Sequence, residues 1–266
     1  IIDFHTHTFP DKVAPKAIGK LAVISGITPY TDGTVADTLA SQAKTGVDLC
    51  VCLNIATAPG QETTINNTAA TLCAEHKGRL IAFGSVHPES SDALDELARI
   101  KELGIPGVKL HPDYQNFIVD ETRMDGIYDT LAQLEIPTVF HAGWDCYSPD
   151  LIHCPPELAA KVAKRHPKLT MILAHLGGMK RWEDVLEHIA GIPNVYMDTS
   201  MAASCGLAYD LAGKILAKHP KENILLGSDC PWEDPTQSIA WVEGLPVSDD
   251  QKEAILGGNA MKLLSL

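Results

Sequence analysis

IIDFHTHTFP (residues 1–10) begins as an apolar, strand-like run and ends in two histidines, His5 and His7, one residue apart. On an extended strand successive side chains alternate faces, so positions i and i+2 share a face roughly 7 Å apart. Both imidazoles can therefore approach one ion. The same pattern, an apolar run closing on a polar residue, recurs along the chain. His87 ends RLIAFGSVHP, His111 ends PGVKLHP, His141 ends IPTVFHAG, and His175 and Asp229 fall late in KLTMILAHLGG and ENILLGSDCPW.

Working outward, VDLCVCLNIA (47–56) and PNVYMDTS (193–200) bring the number of strand-like runs to eight. Between them lie stretches with helical periodicity, 32–45, 61–76, 92–104, 124–134, 157–166, 182–189 and one ending near His219, with a closing helix over 249–264. Gly46 suits the position just past a helix, and Ser90 or Ser91 can cap the helix that begins at Asp92. Residues 8–31, rich in Gly, Pro and Thr, read as a loop. So does 144–156, whose length and aromatic content suggest function. Eight strands separated by helices at a repeat of roughly 30 residues predict an α/β fold, a (β/α)8 TIM barrel forming a single domain over 1–266. Near-continuous apolar strands agree with a parallel sheet buried on both faces. The rival, a doubly wound sheet, would carry GxGxxG after its first strand; neither that motif nor GxxxxGK[ST] is present.

With 266 residues, 45% hydrophobic and 21% charged, the composition is that of a soluble globular chain, and the net charge of −13 argues against nucleic acid or anionic lipid as a partner. No apolar run reaches the ~18 residues of a membrane span. Seven scattered cysteines with no CxxC pair read as reduced thiols and predict a cytoplasmic location. A small-molecule substrate is expected, and large apolar helix faces allow a homodimer.

In a barrel the C-terminal strand ends form one rim, where active sites are built. Six of the 11 histidines (His5, His7, His87, His111, His141, His175) fall on that predicted rim with Asp229. Imidazole and carboxylate suit Zn²⁺ and other divalent first-row ions, and a catalytic site keeps a position open for water, whose pKa the ion lowers. His5, His7, His141 and Asp229 would form such a set. His175 has three open roles: ligand, general base, or electrophile holding a substrate oxygen.

IDFHTH, GVKLHP, FHAG, LAHLGG, LLGSDCPW and the closing IL-x-x-NA-x-x-L together resemble the amidohydrolase superfamily of metal-dependent hydrolases. The resemblance lies within the branch that includes aminocarboxymuconate semialdehyde decarboxylase and related decarboxylases, lactonases and hydratases, and it spans nearly the whole chain. It implies His5, His7, His141 and Asp229 as ligands of one divalent metal, with Zn²⁺ expected first and Mn²⁺ or another first-row ion as alternatives. It also implies a catalytic role for Asp229, as the base that takes a proton from water, and a catalytic or second-metal role for His175. Where relatives hold two metals, a lysine on the fourth strand is carbamylated; Lys109 is read instead as an unmodified substrate-binding residue.

His111, Trp144 and His87 are expected to contact substrate, Asp145 and Tyr147 to follow them in the loop, and Asp198 and Ser200 to support a ligand histidine. Cys230 should face away from the metal, and Trp232 should cover the mouth. The first functional expectation is a hydrolase in which metal-activated water attacks an amide or lactone carbonyl. The second is nonoxidative decarboxylation of an unsaturated or aromatic acid, and the third a noncatalytic metal-binding barrel.

Overall fold

A computed structural model describes residues 1–266. All eight strands form, and all pair in parallel: β1 (Ile2–Thr6), β2 (Leu49–Leu53), β3 (Leu80–Phe83), β4 (Val108–Leu110), β5 (Thr138–Phe140), β6 (Met171–Leu173), β7 (Val195–Asp198) and β8 (Ile224–Leu225). They run in sequence order, β1 to β3 and β4 to β8. Backbone bonds cross both gaps. Lys109 N–H donates to Gly84 O at 2.8 Å between β4 and β3, while Phe4 N–H donates to Leu226 O at 2.7 Å and Asp229 N–H to His5 O at 2.8 Å between β1 and β8. The fold is a TIM barrel.

Two apolar layers hold it together. Phe4, Val51, Leu53, Phe83, Val139, Ile172 and Leu225 meet inside the ring, with Phe4 and Phe83 edge to face at 5.6 Å. Val108, Leu110, Phe140, Leu173 and Met197 point outward under the helices. Burying such side chains contributes about 1.5–3 kcal/mol each.

The helices are α1 (Ala14–Ser25), α2 (Val35–Thr45), α3 (Glu62–Glu75), α4 (Ala93–Glu102), α5 (Pro112–Gln115), α6 (Asp125–Gln133), α7 (Pro156–Arg165), α8 (Trp182–Asp184), α9 (Tyr209–Lys218), α10 (Pro235–Glu243), α11 (Asp249–Glu253) and α12 (Asn259–Leu264). Several depart from the sequence reading. α1 occupies the expected loop after β1, with Pro15 in its first turn; of its apolar face (Ala14, Ala17, Ile18, Leu21, Ala22) only Ala14 and Ile18 are buried. α10, which the sequence reading passed over, follows an Asp234 cap and Pro235. The closing helix is broken, because Gly257 takes an extended φ of 179° between α11 and α12. That break lets Asn259 donate to Lys221 O and Ile224 O at 2.9 and 2.8 Å, anchoring the C-terminal segment beneath β8. Ser90 does not cap α4; its hydroxyl bonds Glu62 instead, and Asp92 stands at the cap position without a side-chain bond. Gly46 ends α2 as expected, with φ 80° and its N–H on Gln42 O.

Two irregularities aim the site. Asp3 pairs with Cys50 and Thr6 with Cys52, so β1 carries one extra residue there, a bulge. Phe4 packs inside the ring, and so, because the bulge between Asp3 and Thr6 reverses the alternation, do His5 and His7. On β6, Ile172 faces inward and alternation would next bring in Ala174. Left-handed backbone at His175 (φ 60°) and Leu176 (φ 48°) breaks the alternation, and His175 lines the cavity.

Candidate active site

His5 and His7 bring their Nε2 atoms within 3.2 Å of each other, and Asp229 Oδ1 lies 3.5 Å from the first and 3.2 Å from the second. Tetrahedral ligands about 2.0–2.2 Å from an ion stand about 3.3–3.6 Å from one another, so this triangle has the size of a metal site. The opposite ring nitrogens set the tautomers. His5 Nδ1 donates to Asp198 Oδ2 at 2.9 Å and His7 Nδ1 to Leu53 O at 2.9 Å, leaving both Nε2 lone pairs bare toward Asp229. Asp198 is fixed in turn by the Ser200 hydroxyl and by the Ser200 N–H at 3.0 Å. These donors fit a divalent first-row ion: two imidazole nitrogens and one carboxylate, with room for further oxygens.

Electrostatics agree with that use. Burial alone would raise the Asp229 carboxyl, but His5 and His7 outweigh it and hold the group well below the usual carboxylate range. Burial, then the Lys109 charge, keeps His5 neutral. Burial brings His175 down to about 4, helped by His141, so it too is neutral. The Lys109 ammonium is pulled by burial to about 8, while Asp198, Asp229 and Asp145 hold it up. It is wholly buried and its Nζ has no hydrogen-bond partner.

The structure divides the expected ligand set. His5, His7 and Asp229 converge, whereas His141 groups with His111 and Asp145. His141 Nε2 turns to Asp145 Oδ2 at 3.3 Å and its Nδ1 lies 3.0 Å from His175 Nε2. The cause is the loop after β5, which folds Asp145 back over the strand end.

A cavity of about 660 Å³ opens above these groups, and Lys109, His111, Trp144, Tyr147 and Trp232 line it. His87 does not reach it. Its Nδ1 accepts the Glu89 N–H at 3.2 Å and its own N–H donates to Glu62, so it serves the turn after β3. Cys230 is buried 3.8 Å from the Thr31 hydroxyl and stands outside the ligand group. All seven cysteines are free. Sequence reasoning missed Phe9, Lys20, Leu21 and Ile27, which come to the mouth on and around α1, and Tyr114, stacked on His111 at 3.8 Å. Tyr114 follows the GVKLHP motif by two residues and was the one of these with a sequence signal.

A TIM-barrel protein described as uncharacterized, from Bordetella bronchiseptica, superposes with a TM-score of 0.79 at 20% identity, covering 100% of this chain and 98% of its own. The 2,6-dihydroxybenzoate decarboxylase from Rhizobium gives 0.69 at 16%, covering 99% and 98%. The 5-carboxyvanillate decarboxylase from Novosphingobium aromaticivorans, with bound manganese and 3-methoxy-4-hydroxy-5-nitrobenzoic acid, gives 0.69 at 15%, covering 100% and 97%. At such identities the likeness is one of fold. No curated sequence matches the chain significantly. The model of the Amidohydrolase family matches residues 2–266, and the chain belongs to that family.

Proposed function

We propose that the chain is a metal-dependent, nonoxidative decarboxylase of an aromatic or unsaturated carboxylic acid. The cavity carries the reading. Its walls are flat or apolar at Phe9, Tyr114, Trp144 and Trp232, while its floor holds the His5, His7, Asp229 triangle and the Lys109 ammonium. A volume of about 660 Å³ accommodates a substituted ring, and a carboxylate entering it meets positive charge below and aromatic faces beside it. The named decarboxylases with the same fold act on acids of this kind, which supports the reading over hydrolysis.

A bound divalent ion, Zn²⁺ by the donor set or Mn²⁺ as in the Novosphingobium structure, would supply a positive centre for substrate oxygens. With a hydroxybenzoate as substrate, Asp229, held ionised, takes a proton from the ring hydroxyl and delivers it to the ring carbon that loses its carboxylate. The carbon–carboxylate bond breaks, its electron pair stays on that carbon and picks up the proton, and CO₂ departs without consuming water. Lys109 steadies the negative charge as the carboxylate enters. Neutral His175, donating through Nδ1 to Ser200 O at 3.2 Å, accepts at Nε2 from His141 Nδ1 at 3.0 Å and so holds the His141 ring at the cavity wall. Hydrolysis is the second reading, because an ionised Asp229 can equally accept a proton from water.

Metal-loaded protein incubated with hydroxybenzoates and unsaturated diacids in D₂O should release CO₂ and place one deuterium on the vacated carbon. Chelation should stop the reaction and metal should restore it. Labelled solvent oxygen entering a lactone or amide product, with no CO₂ from any acid, would overturn the proposal in favour of hydrolysis.

A further inference from the structure

We infer that Lys180, standing on the Trp144 ring, is a specificity-determining residue that takes a second carboxylate of the substrate, so that the preferred acid is a dicarboxylate. The inference deepens the decarboxylase reading and rests on it for the reaction, though not for the binding. Lys180 Nζ lies 3.5 Å from the centre of the Trp144 ring, and both residues line the cavity. At that distance the ring face attracts the ammonium and fixes it, while N–H groups turned away from the ring stay free for an anion.

The fold builds this pair from two loops. Trp144 N–H donates to Met179 O at 3.0 Å and Met179 N–H to Ala142 O at 2.9 Å, which laces the loops after β5 and β6 together one residue before Lys180. Lys180 itself has left-handed backbone, φ 58°, a conformation unfavourable for any residue with a Cβ. It has no ion-pair partner, although its neighbour Arg181 pairs with Asp184 and Glu157. A strained backbone and an unpaired charge at one position on a cavity wall are the marks of a ligand-binding residue.

The charge of the cavity runs against that of the chain. The sequence carries 34 Asp and Glu to 21 Lys and Arg, yet the lining holds three lysines, Lys20, Lys109 and Lys180, and only two carboxylates, Asp145 and Asp229. Lys109 on the floor meets the carboxylate that departs, so a monoacid leaves Lys180 unused. Lys20 is less suited to recognition, because residues 10–29, which include α1, hydrogen-bond only among themselves and do not fix it to the barrel. Burial raises the Cys146 and Cys205 thiols; Asp229 adds to that and Lys180 opposes it, so both charges reach the same cavity-lining side chains. A flat diacid seated over the floor can therefore extend its outer carboxylate toward Lys180.

The test uses metal-loaded protein and three ligands without a ring hydroxyl, benzoate and the 1,3- and 1,4-benzenedicarboxylates, with affinity measured by calorimetry. The wild type should bind the better dicarboxylate about tenfold more tightly than benzoate, as one charge-assisted contact allows. Lys180→Met should abolish that preference and leave benzoate affinity unchanged, which also shows that the cavity is intact. Lys180→Arg should keep the preference, since a guanidinium stacks on the indole and carries the same charge. Lys20→Met should keep it as well. In turnover of a dicarboxylic hydroxybenzoate, the loss in Lys180→Met should fall on KM rather than kcat. Equal wild-type affinities, a preference that survives Lys180→Met, or one lost with Lys20→Met instead overturns the assignment and leaves the decarboxylase standing. A preference that depends on Lys180, with no CO₂ from any acid, supports the assignment and removes the decarboxylase.

Discussion

His5 Nδ1 lies 2.9 Å from Asp198 Oδ2, a pair that joins β1 to β7 over the end of β8 with side chains 1% and 0% exposed. Asp198 accepts from the imidazole and so fixes which nitrogen is free for a metal. In Asp198→Asn the amide can present its NH₂ instead and favour the wrong tautomer. Metal affinity should fall about 10–100-fold, read by competition with a chromophoric chelator. Unchanged affinity would show that Asp198 does not orient His5.

Lys109 brings stability and function into opposition. Its ammonium is wholly buried with no hydrogen-bond partner. Lys109→Met keeps the stem and deletes the charge, and should stabilise the metal-free chain by about 1–3 kcal/mol in urea unfolding. The same variant should release CO₂ at least about tenfold more slowly, since one well-placed charge–carboxylate contact is worth more than 1.4 kcal/mol. A destabilised, fully active variant would refute both roles.

His219 predicts an acid-sensitive component of stability away from the site. Its Nε2 donates to Val195 O at 3.0 Å and its Nδ1 accepts the Gly191 N–H at 3.3 Å, so the ring is neutral; burial brings it to about 4. The unfolded chain takes up this proton near pH 6.5, the folded chain only near 4. Stability is therefore lost as pH falls between those values, by about 3 kcal/mol. His219→Gln should flatten that limb of the stability curve relative to wild type between pH 4 and 6.5. Parallel curves would exclude the histidine as the cause.

Gly143 is where the loop after β5 crosses the loop after β6. Its φ is +87°, and a Cβ would meet Met179 N at 2.1 Å. Gly143→Ala should destabilise the fold by more than about 1 kcal/mol from the backbone strain alone. It should also displace Trp144 and Asp145 from the cavity, seen as reduced quenching of tryptophan fluorescence by an aromatic acid. Wild-type stability and quenching would mean that the crossing tolerates a side chain.

The barrel was legible because its signal is local and repeated. Apolar runs such as IPTVFHAG and KLTMILAHLGG must be buried on both faces, and eight of them at regular spacing leave few arrangements. The helix boundaries were less legible. α1 lies in a stretch punctuated by Pro10, Pro15, Gly19 and Gly26, and Gly257 interrupts a continuous-looking helix, because what settles each is the surface it packs on.

The amino-acid sequence by itself determined that His5, His7 and Asp229 end strands of one barrel, since strand periodicity and the run of eight repeats put those ends on a common rim. Only the tertiary structure decided which rim residues converge. The bulge between Asp3 and Thr6 and the left-handed turn at His175 each reset alternation, a change of one residue that no periodicity reveals. The folded-back loop gave His141 to Asp145 and His111 rather than to Asp229, and the turn after β3 kept His87 out of the cavity. Ligand geometry depends on angstrom-scale placement of distant segments, and that is set by packing, not by the order of residues along one strand.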